Sequence, residues 1–84
     1  MHDLLAAQDI VKAAIFEAKK KNLKKITKLV IEMGEVIDHG EAISRENLEF
    51  NLKIVAQNTL AKNAQVVLKK IDEPQVRLVE IEGK

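Results

Sequence analysis

The sequence contains no cysteine, tryptophan or tyrosine, and it has one proline, three glycines and two phenylalanines among its 84 residues. Without cysteine the chain cannot form a disulfide, a thiolate metal site, an iron–sulfur cluster or a cysteine nucleophile. No apolar run approaches the roughly 18 residues that span a membrane. No basic segment precedes an apolar stretch, as it would in a secretory signal. These absences predict a cytoplasmic protein.

The composition is that of a small globular domain. Hydrophobic residues make up 46% of the chain and charged residues 32%, which is enough for one modest core with a well-solvated surface. The formal net charge is only +1, so there is no overall field that would draw the chain to nucleic acid or to an acidic membrane. No Ser-His-Asp set and no glycine-rich phosphate-binding signature is present. We therefore expect the chain not to be an enzyme.

Two segments have apolar residues at helical spacing. The first stripe consists of Leu4, Ala7, Val11, Ala14 and Ala18. It predicts an amphipathic helix of about five turns, capped by Asp3 and ended by Asn22 in the left-handed conformation. The second stripe consists of Leu48, Leu52, Val55 and Ala56. It predicts a helix that is capped by Ser44 and stopped by Asn58, with Asn63 in a following turn.

Three other segments have the composition of strands. Apolar and polar residues alternate over 26–33, which predicts a strand with one solvated face. Residues 65–71 and 76–81 are also strand-like. The proline-containing segment 72–75 between them predicts a turn, and hence a hairpin of the last two strands. Residues 36–43 are typical of a loop.

Together these elements predict an α+β fold with a single domain of residues 1–84. The expected architecture is a two-layer sandwich, with two helices on one face of a three-stranded, mainly antiparallel sheet in the order α-β-α-β-β. This arrangement would bury both apolar stripes against the apolar face of the sheet.

The chain begins Met1-His2-Asp3, directly before the first helical pattern. An N-terminal amine, an imidazole and ionised backbone amides form a compact, nitrogen-rich set, which favours square-planar Ni(II) or Cu(II) over magnesium or calcium. The alternative interpretation is an exposed histidine at a frayed chain end. On the residues alone, both interpretations stay open.

Several segments resemble, in the same order, parts of one known family. The first three residues, Met-His-Asp, are similar to a Met-His-Glu start, and residues 30–36 resemble a strand that ends in Gly-Glu-Leu. Residues 48–50 resemble a Leu-x-Phe helix segment, and 58–64 resemble a Gly-Thr-x-Ala-x-Gly-Ala turn with asparagine at both glycine positions. Residues 77–83 are similar to a closing strand. The family is HypA/HybF, the nickel metallochaperones of hydrogenase and urease maturation.

This resemblance implies a non-catalytic module that binds Ni(II) through the amine of Met1, the amide and imidazole of His2 and the amide of Asp3. It implies two partners, the nickel-delivery GTPase HypB and the large subunit of a NiFe-hydrogenase. We expect neither a nucleic acid nor a membrane partner, and we expect a monomer or a weak dimer.

Family members carry a zinc lobe with two Cys-x-x-Cys pairs between the last two strands. Here residues 72–75 bridge that gap and no cysteine exists, so no zinc is expected. The chain is either a relative that lacks the zinc lobe or one from which the lobe was removed.

Three further features have alternative interpretations. The loop around His39, with Asp38 and Glu41, has divalent-ion ligands but is simpler to explain as solvated surface. The six lysines from Lys19 to Lys28 suggest an alternative function, a non-metal interaction module that binds RNA. Against it, the chain has two aromatic residues and the cluster has no arginine. The open sheet edges also allow an edge-strand dimer.

Overall fold

The computed structural model describes residues 2–35, 37–38, 41–42 and 44–84, and for residues 2–3, 37–38 and 41–42 it describes the backbone only. The elements follow as α1 (His2–Lys20), β1 (Ile26–Met33), β2 (Ile37–Asp38), β3 (Glu41–Ala42), α2 (Arg45–Ala56), β4 (Gln65–Lys70) and β5 (Val76–Gly83). The α+β class is confirmed, and so is the order α-β-α-β-β of the longer elements.

Both helices bury the stripes that the spacing predicts. The buried residues of α1 are Ala7, Ile10, Val11, Ala14 and Ala18, and those of α2 are Leu48, Asn51, Leu52 and Ala56. Apart from Asn51, all of them belong to one core cluster with the inner face of the sheet. The alanines on the buried side of α1 let its backbone approach the neighbouring elements closely, because helix separation depends on the side chains at the contact.

Hydroxyl groups close both ends of α2. The Oγ of Ser44 accepts a hydrogen bond from the N–H of Asn47 at 3.0 Å, which confirms the predicted cap. Beyond the other end, the Oγ1 of Thr59 donates to the carbonyl of Ala56 at 2.8 Å and accepts from the N–H of Ala61 at 3.0 Å.

The left-handed conformation predicted for Asn22 is confirmed, since it has φ of 58°. Asn63, predicted in a turn, also has a positive φ, of 62°, as expected for the residue type that best tolerates positive φ after glycine. The prediction for Asn58 is wrong, since it has no positive φ. Gln57 continues the right-handed conformation after α2, and the bonds of Thr59 shape the turn instead.

β1 is the central strand of a three-stranded sheet in the order β4-β1-β5. β4 pairs with β1 in parallel and β5 pairs with it antiparallel. The predicted hairpin of the last two strands is therefore wrong, and the sheet is mixed rather than mainly antiparallel. The reason is that α2 forms the helical crossover that a parallel pair requires. β4 thus takes one edge of β1, and β5 takes the other.

The connection between β4 and β5, residues 71–75, crosses the end of β1. The N–H of Ile71 donates to the carbonyl of Met33 at 3.2 Å, and the N–H of Gly34 donates to the carbonyl of Gln75 at 2.8 Å. A Cβ atom on Gly34 would overlap the carbonyl oxygen of Glu73. The crossing therefore depends on a residue without a side chain at this position.

A β-bulge at Val79 changes which residues of β5 face the core. Ile31 lies beside Leu78 and Val30 lies beside Glu80, so Val79 is the extra residue between them. The extra residue shifts by one position the alternation of side chains between the two faces of the sheet. Ile81 consequently faces the core and is 7% exposed, although it lies three positions after Leu78.

The outer face of the sheet carries ion pairs. The Nζ of Lys28 lies 3.4 Å from a carboxylate oxygen of Glu82, and the Nε of Arg77 donates to Glu32 at 2.8 Å. Val30 lies between these two pairs on the same face and is only 4% exposed. The face predicted as solvated therefore has a buried residue at its centre, because the aliphatic parts of long charged side chains cover apolar surface.

The segment predicted as a loop, residues 36–43, contains a short antiparallel pair. Ile37 of β2 lies opposite Ala42 of β3, and Asp38 lies opposite Glu41. The chain thus reverses direction here before it enters α2.

The molecule has two distinct ends. Both helices begin at the end where β1 and β4 finish, which we call the upper end (residues 33–35 and 71–75). The lower end comprises residues 19–28, 57–64 and 82–84. Hydrogen bonds join its three segments, since Ile26 N–H donates to the carbonyl of Leu60 and Lys84 N–H donates to the carbonyl of Lys25.

Candidate metal centre

The predicted metal ligands lie at the start of α1. Since this helix begins at His2, the backbones of His2 and Asp3 occupy its first turn. The first N–H groups of an α-helix have no intrahelical acceptor, so these two amides point out of the helix end. The prediction that Asp3 caps the helix from outside is wrong, because the helix starts one residue before it.

The other predicted ligand atoms are outside the described part of the structure. These are the whole of Met1 and the side chains of His2 and Asp3. His39, the candidate in the 36–43 segment, also lies outside the described residues. The roles assigned to these groups therefore stay predictions.

The start of α1 lies toward the upper end of the molecule. α1 runs alongside β5 in the same direction, since both elements end at the lower end, where the N–H of Lys24 donates to the carbonyl of Lys84. Among the side chains that the structure describes, no group of three or more His, Asp or Glu residues forms a metal-binding arrangement.

Arg45 lies near the upper end, at the beginning of α2. Its guanidinium donates to the carbonyl of Leu68 on β4 at 3.3 Å. It thus ties the start of α2 to an edge strand of the sheet.

The lysine cluster lies at the lower end, at the other end of α1. Its members from Lys19 to Lys25 are exposed, and Lys28 is half-buried beside Glu82. Lys20 also contacts Glu17 at 3.8 Å, and its Nζ lies 5.5 Å from the centre of the Phe16 ring. A helix of 19 residues is about 28 Å long, so the cluster and the predicted metal site are well separated.

A groove between α1 and β5 was not predicted from the sequence. It has a volume of about 510 Å³, and its apolar lining includes Ala13, Phe16, Leu78 and Val79. The sequence feature that could have indicated this groove is that Phe16 and Val79 do not fit the pattern of core residues. Phe16 lies off the helical stripe, and Val79 interrupts the alternation of the last strand. Both are exposed, by 64% and 45% respectively.

Residues 1–77 match the family described as hydrogenase/urease nickel incorporation, metallochaperone, hypA. The chain belongs to the HypA family. A hydrogenase maturation factor HypA from Caldanaerobacter subterraneus subsp. tengcongensis is 35% identical over 69 residues, or 82% of this chain and 57% of that protein. The factor of the same name from Methanobrevibacter smithii is 32% identical over 71 residues, or 84% of this chain and 54% of that protein. The one from Legionella pneumophila strain Lens is 30% identical, with 84% and 59% covered.

Membership of the HypA family confirms the resemblance found in the sequence. The family description names a metallochaperone, which carries a metal and is not an enzyme. The chain spans only 54% to 59% of the length of these three HypA proteins. No helix in the described ranges is long and apolar enough to cross a membrane.

Proposed function

We propose that this chain is a single nickel-binding domain, residues 1–84, that carries Ni(II) at its N-terminus in the cytoplasm. The ligands are the amine of Met1, the amide and imidazole of His2 and the amide of Asp3. The ion is cargo for a NiFe-hydrogenase, and no zinc takes part. The observation that carries the proposal is the family match, which begins at the first residue and so includes the Met-His start.

The placement of the N-terminus at a helix start supports the proposal. The amides of His2 and Asp3 belong to the first turn of α1, where no helical carbonyl accepts their protons. Only the backbone atoms of Met1 itself separate its amine from the amide of His2. An all-nitrogen set of this kind suits square-planar Ni(II). Because the amine, imidazole and amides must lose protons to bind, nickel affinity should rise with pH.

The proposed partners are the GTPase HypB, which would supply nickel, and the large subunit of the hydrogenase, which would receive it. A carrier that holds its ion at an exposed chain end needs no domain opening to release it. The folded body then displays the ligands and keeps them accessible to another protein.

The test is a nickel titration of protein with its native start. We expect one Ni(II) per chain by calorimetry and the weak visible band of a square-planar complex. His2→Ala should lower nickel affinity by more than about 100-fold, because it removes a direct ligand. The far-UV circular dichroism should not change. His39→Ala is the matched control, since it removes the other histidine of the chain, and it should bind nickel as the parent does.

A second variant tests the amine. A Gly-Ser extension before Met1 keeps every side chain but converts the amine into an ordinary amide, and it should also abolish the square-planar band. The proposal is wrong if the His2→Ala variant still binds one nickel at unchanged affinity. It is also wrong if only His39→Ala loses the metal.

A further inference from the structure

The charges of this chain are strongly polarised, although the net charge is close to zero. The three segments of the lower end, residues 19–28, 57–64 and 82–84, contain eight of the fourteen basic residues of the chain but only one of its thirteen acidic residues. We call these eight lysines the lysine pole: Lys19, Lys20, Lys21, Lys24, Lys25, Lys28, Lys62 and Lys84. All of them except Lys28 are exposed.

The lysine pole is a property of the fold and not of one segment. Backbone hydrogen bonds join Lys24 N–H to the carbonyl of Lys84 at 2.7 Å, and Ile26 N–H to the carbonyl of Leu60 at 2.8 Å. They bring the ends of α1 and β5 and the turn after α2 together. Like charges gathered in this way repel one another. An anionic partner would relieve that repulsion.

The groove between α1 and β5 opens beside the lysine pole. Its apolar lining comes from Ala13 and Phe16 of α1 and from Leu78 and Val79 of β5. Lys21 belongs both to the groove and to the pole. The other charged residues of the groove are Lys12, Glu17 and Glu80, and Glu17 contacts Lys20 of the pole at 3.8 Å. An apolar site is thus continuous with a strongly cationic surface.

We propose that the groove and the lysine pole together bind an acidic peptide segment of a partner protein. One apolar side chain of the segment would lie between Phe16 and Val79. A run of aspartate or glutamate residues next to it would contact Lys21, Lys24 and the rest of the pole.

A peptide fits these observations better than the other anionic polymers. The pole contains lysine and no arginine, and only one exposed aromatic ring, that of Phe16, lies beside it. It therefore lacks the stacking surfaces with which proteins bind single-stranded nucleic acid. A membrane surface is matched by a broad apolar helix face, whereas the exposed large apolar residues of this groove are Phe16 and Val79 alone. Charge attraction would speed the association of the acidic peptide with the pole. Burial of its apolar anchor in the groove would supply most of the binding affinity.

The test uses a fluorescein-labelled synthetic peptide with a Leu-Phe pair followed by a run of glutamate and aspartate. We expect the full chain to bind it, with an affinity that falls as salt is added. Phe16→Ala should weaken binding by about fivefold or more, and the double variant Lys21→Glu/Lys24→Glu by about tenfold or more. A peptide with Ser-Ser in place of Leu-Phe should bind parent and Phe16→Ala equally, because the groove would then hold no anchor.

Two matched controls separate the site from general effects. Phe50 on α2 is also 64% exposed, and Phe50→Ala should leave peptide binding unchanged. The pair Lys69→Glu/Lys70→Glu reverses two exposed lysines on β4, away from the lysine pole, and should also have little effect. His2→Ala should bind the peptide as the parent does, so failure of the nickel proposal would not be confused with failure of this one.

Several outcomes would overturn the inference. It fails if Phe16→Ala binds like the parent, or if the β4 control pair weakens binding as much as the pole pair. It also fails if oligouridylate binds more tightly than the peptide and is insensitive to Phe16, which would indicate a nucleic acid site. Sedimentation with phosphatidylserine vesicles in the absence of peptide binding would indicate a membrane site instead.

Discussion

Ser44 and Thr59 close the two ends of α2 with hydrogen bonds from their hydroxyl groups. Ser44 is recognisable in the sequence because a short polar residue directly before an apolar stripe is the usual helix cap. Asn22 and Asn63 are recognisable for a related reason, since asparagine tolerates positive φ. Asn58 carries the same signal, but the turn that contains Thr59 satisfies the end of α2 without a left-handed residue there.

The cap gives a prediction at the scale of one residue. Ser44→Ala removes the acceptor of the Asn47 N–H and should lower the free energy of unfolding by about 1 kcal/mol. Urea denaturation followed by circular dichroism measures this change. Ser44→Asp keeps an acceptor and should retain most of the stability. If alanine and aspartate were equally stable, the hydrogen bond seen at 3.0 Å would contribute nothing.

The arrangement of the elements was harder to predict than the elements themselves. The positions of both helices and of the three long strands follow from hydrophobic period, and the start of α2 also follows from its cap at Ser44. Which strand lies beside which does not follow, because a short connection is compatible both with a hairpin and with a crossing. Two neighbouring strand spacings amount to about 10 Å, a distance that residues 71–75 can cover.

The crossing gives a prediction at the scale of elements. Gly34→Ala places a methyl group where the carbonyl of Glu73 now lies, so the connection must move and its hydrogen bonds with Met33 and Gly34 must lengthen. We expect a loss of about 1 to 3 kcal/mol in the free energy of unfolding, as for other overpacked sites. Denaturant unfolding measures it.

Glu35→Ala is the control for this prediction. Glu35 is the next residue along the chain and is exposed, so its truncation should change stability by less than about 0.5 kcal/mol. Equal stability of the Gly34→Ala variant and the parent would mean that the 71–75 segment does not pack over β1 in solution.

On the scale of the whole molecule, the chain separates two kinds of chemistry. The start of α1 presents the amides of His2 and Asp3, whereas its end presents the lysine pole about 28 Å away, the length of the helix. We therefore expect nickel binding at one end to leave the contacts at the other end unchanged. Between them, the buried apolar residues of both helices and of the inner face of the sheet form one core cluster.

This separation predicts that the two proposed sites act independently. The affinity for the acidic peptide should be the same, within about twofold, in the presence and absence of bound nickel, since coupling requires two states that both ligands distinguish. Fluorescence anisotropy with and without one equivalent of Ni(II) tests this. A change of about fivefold or more would instead show that nickel and peptide compete for, or jointly reshape, one part of the chain.

The sequence by itself determined the α+β class, the helix stripes, the cap at Ser44, the left-handed residue Asn22, the turn at Asn63, and the family, whose Met-His start identifies the candidate ligands. These are local properties, which depend on the period of the side chains and on the chemistry of single residues. The tertiary structure decided the parallel partner of β1, the crossing over Gly34, the bulge at Val79 and the gathering of eight lysines at one end. Each of these depends on contacts between residues far apart in the chain. Pairing β4 and β5 with the two edges of β1, the most apolar strand, outweighs the tendency of consecutive strands to pair with each other.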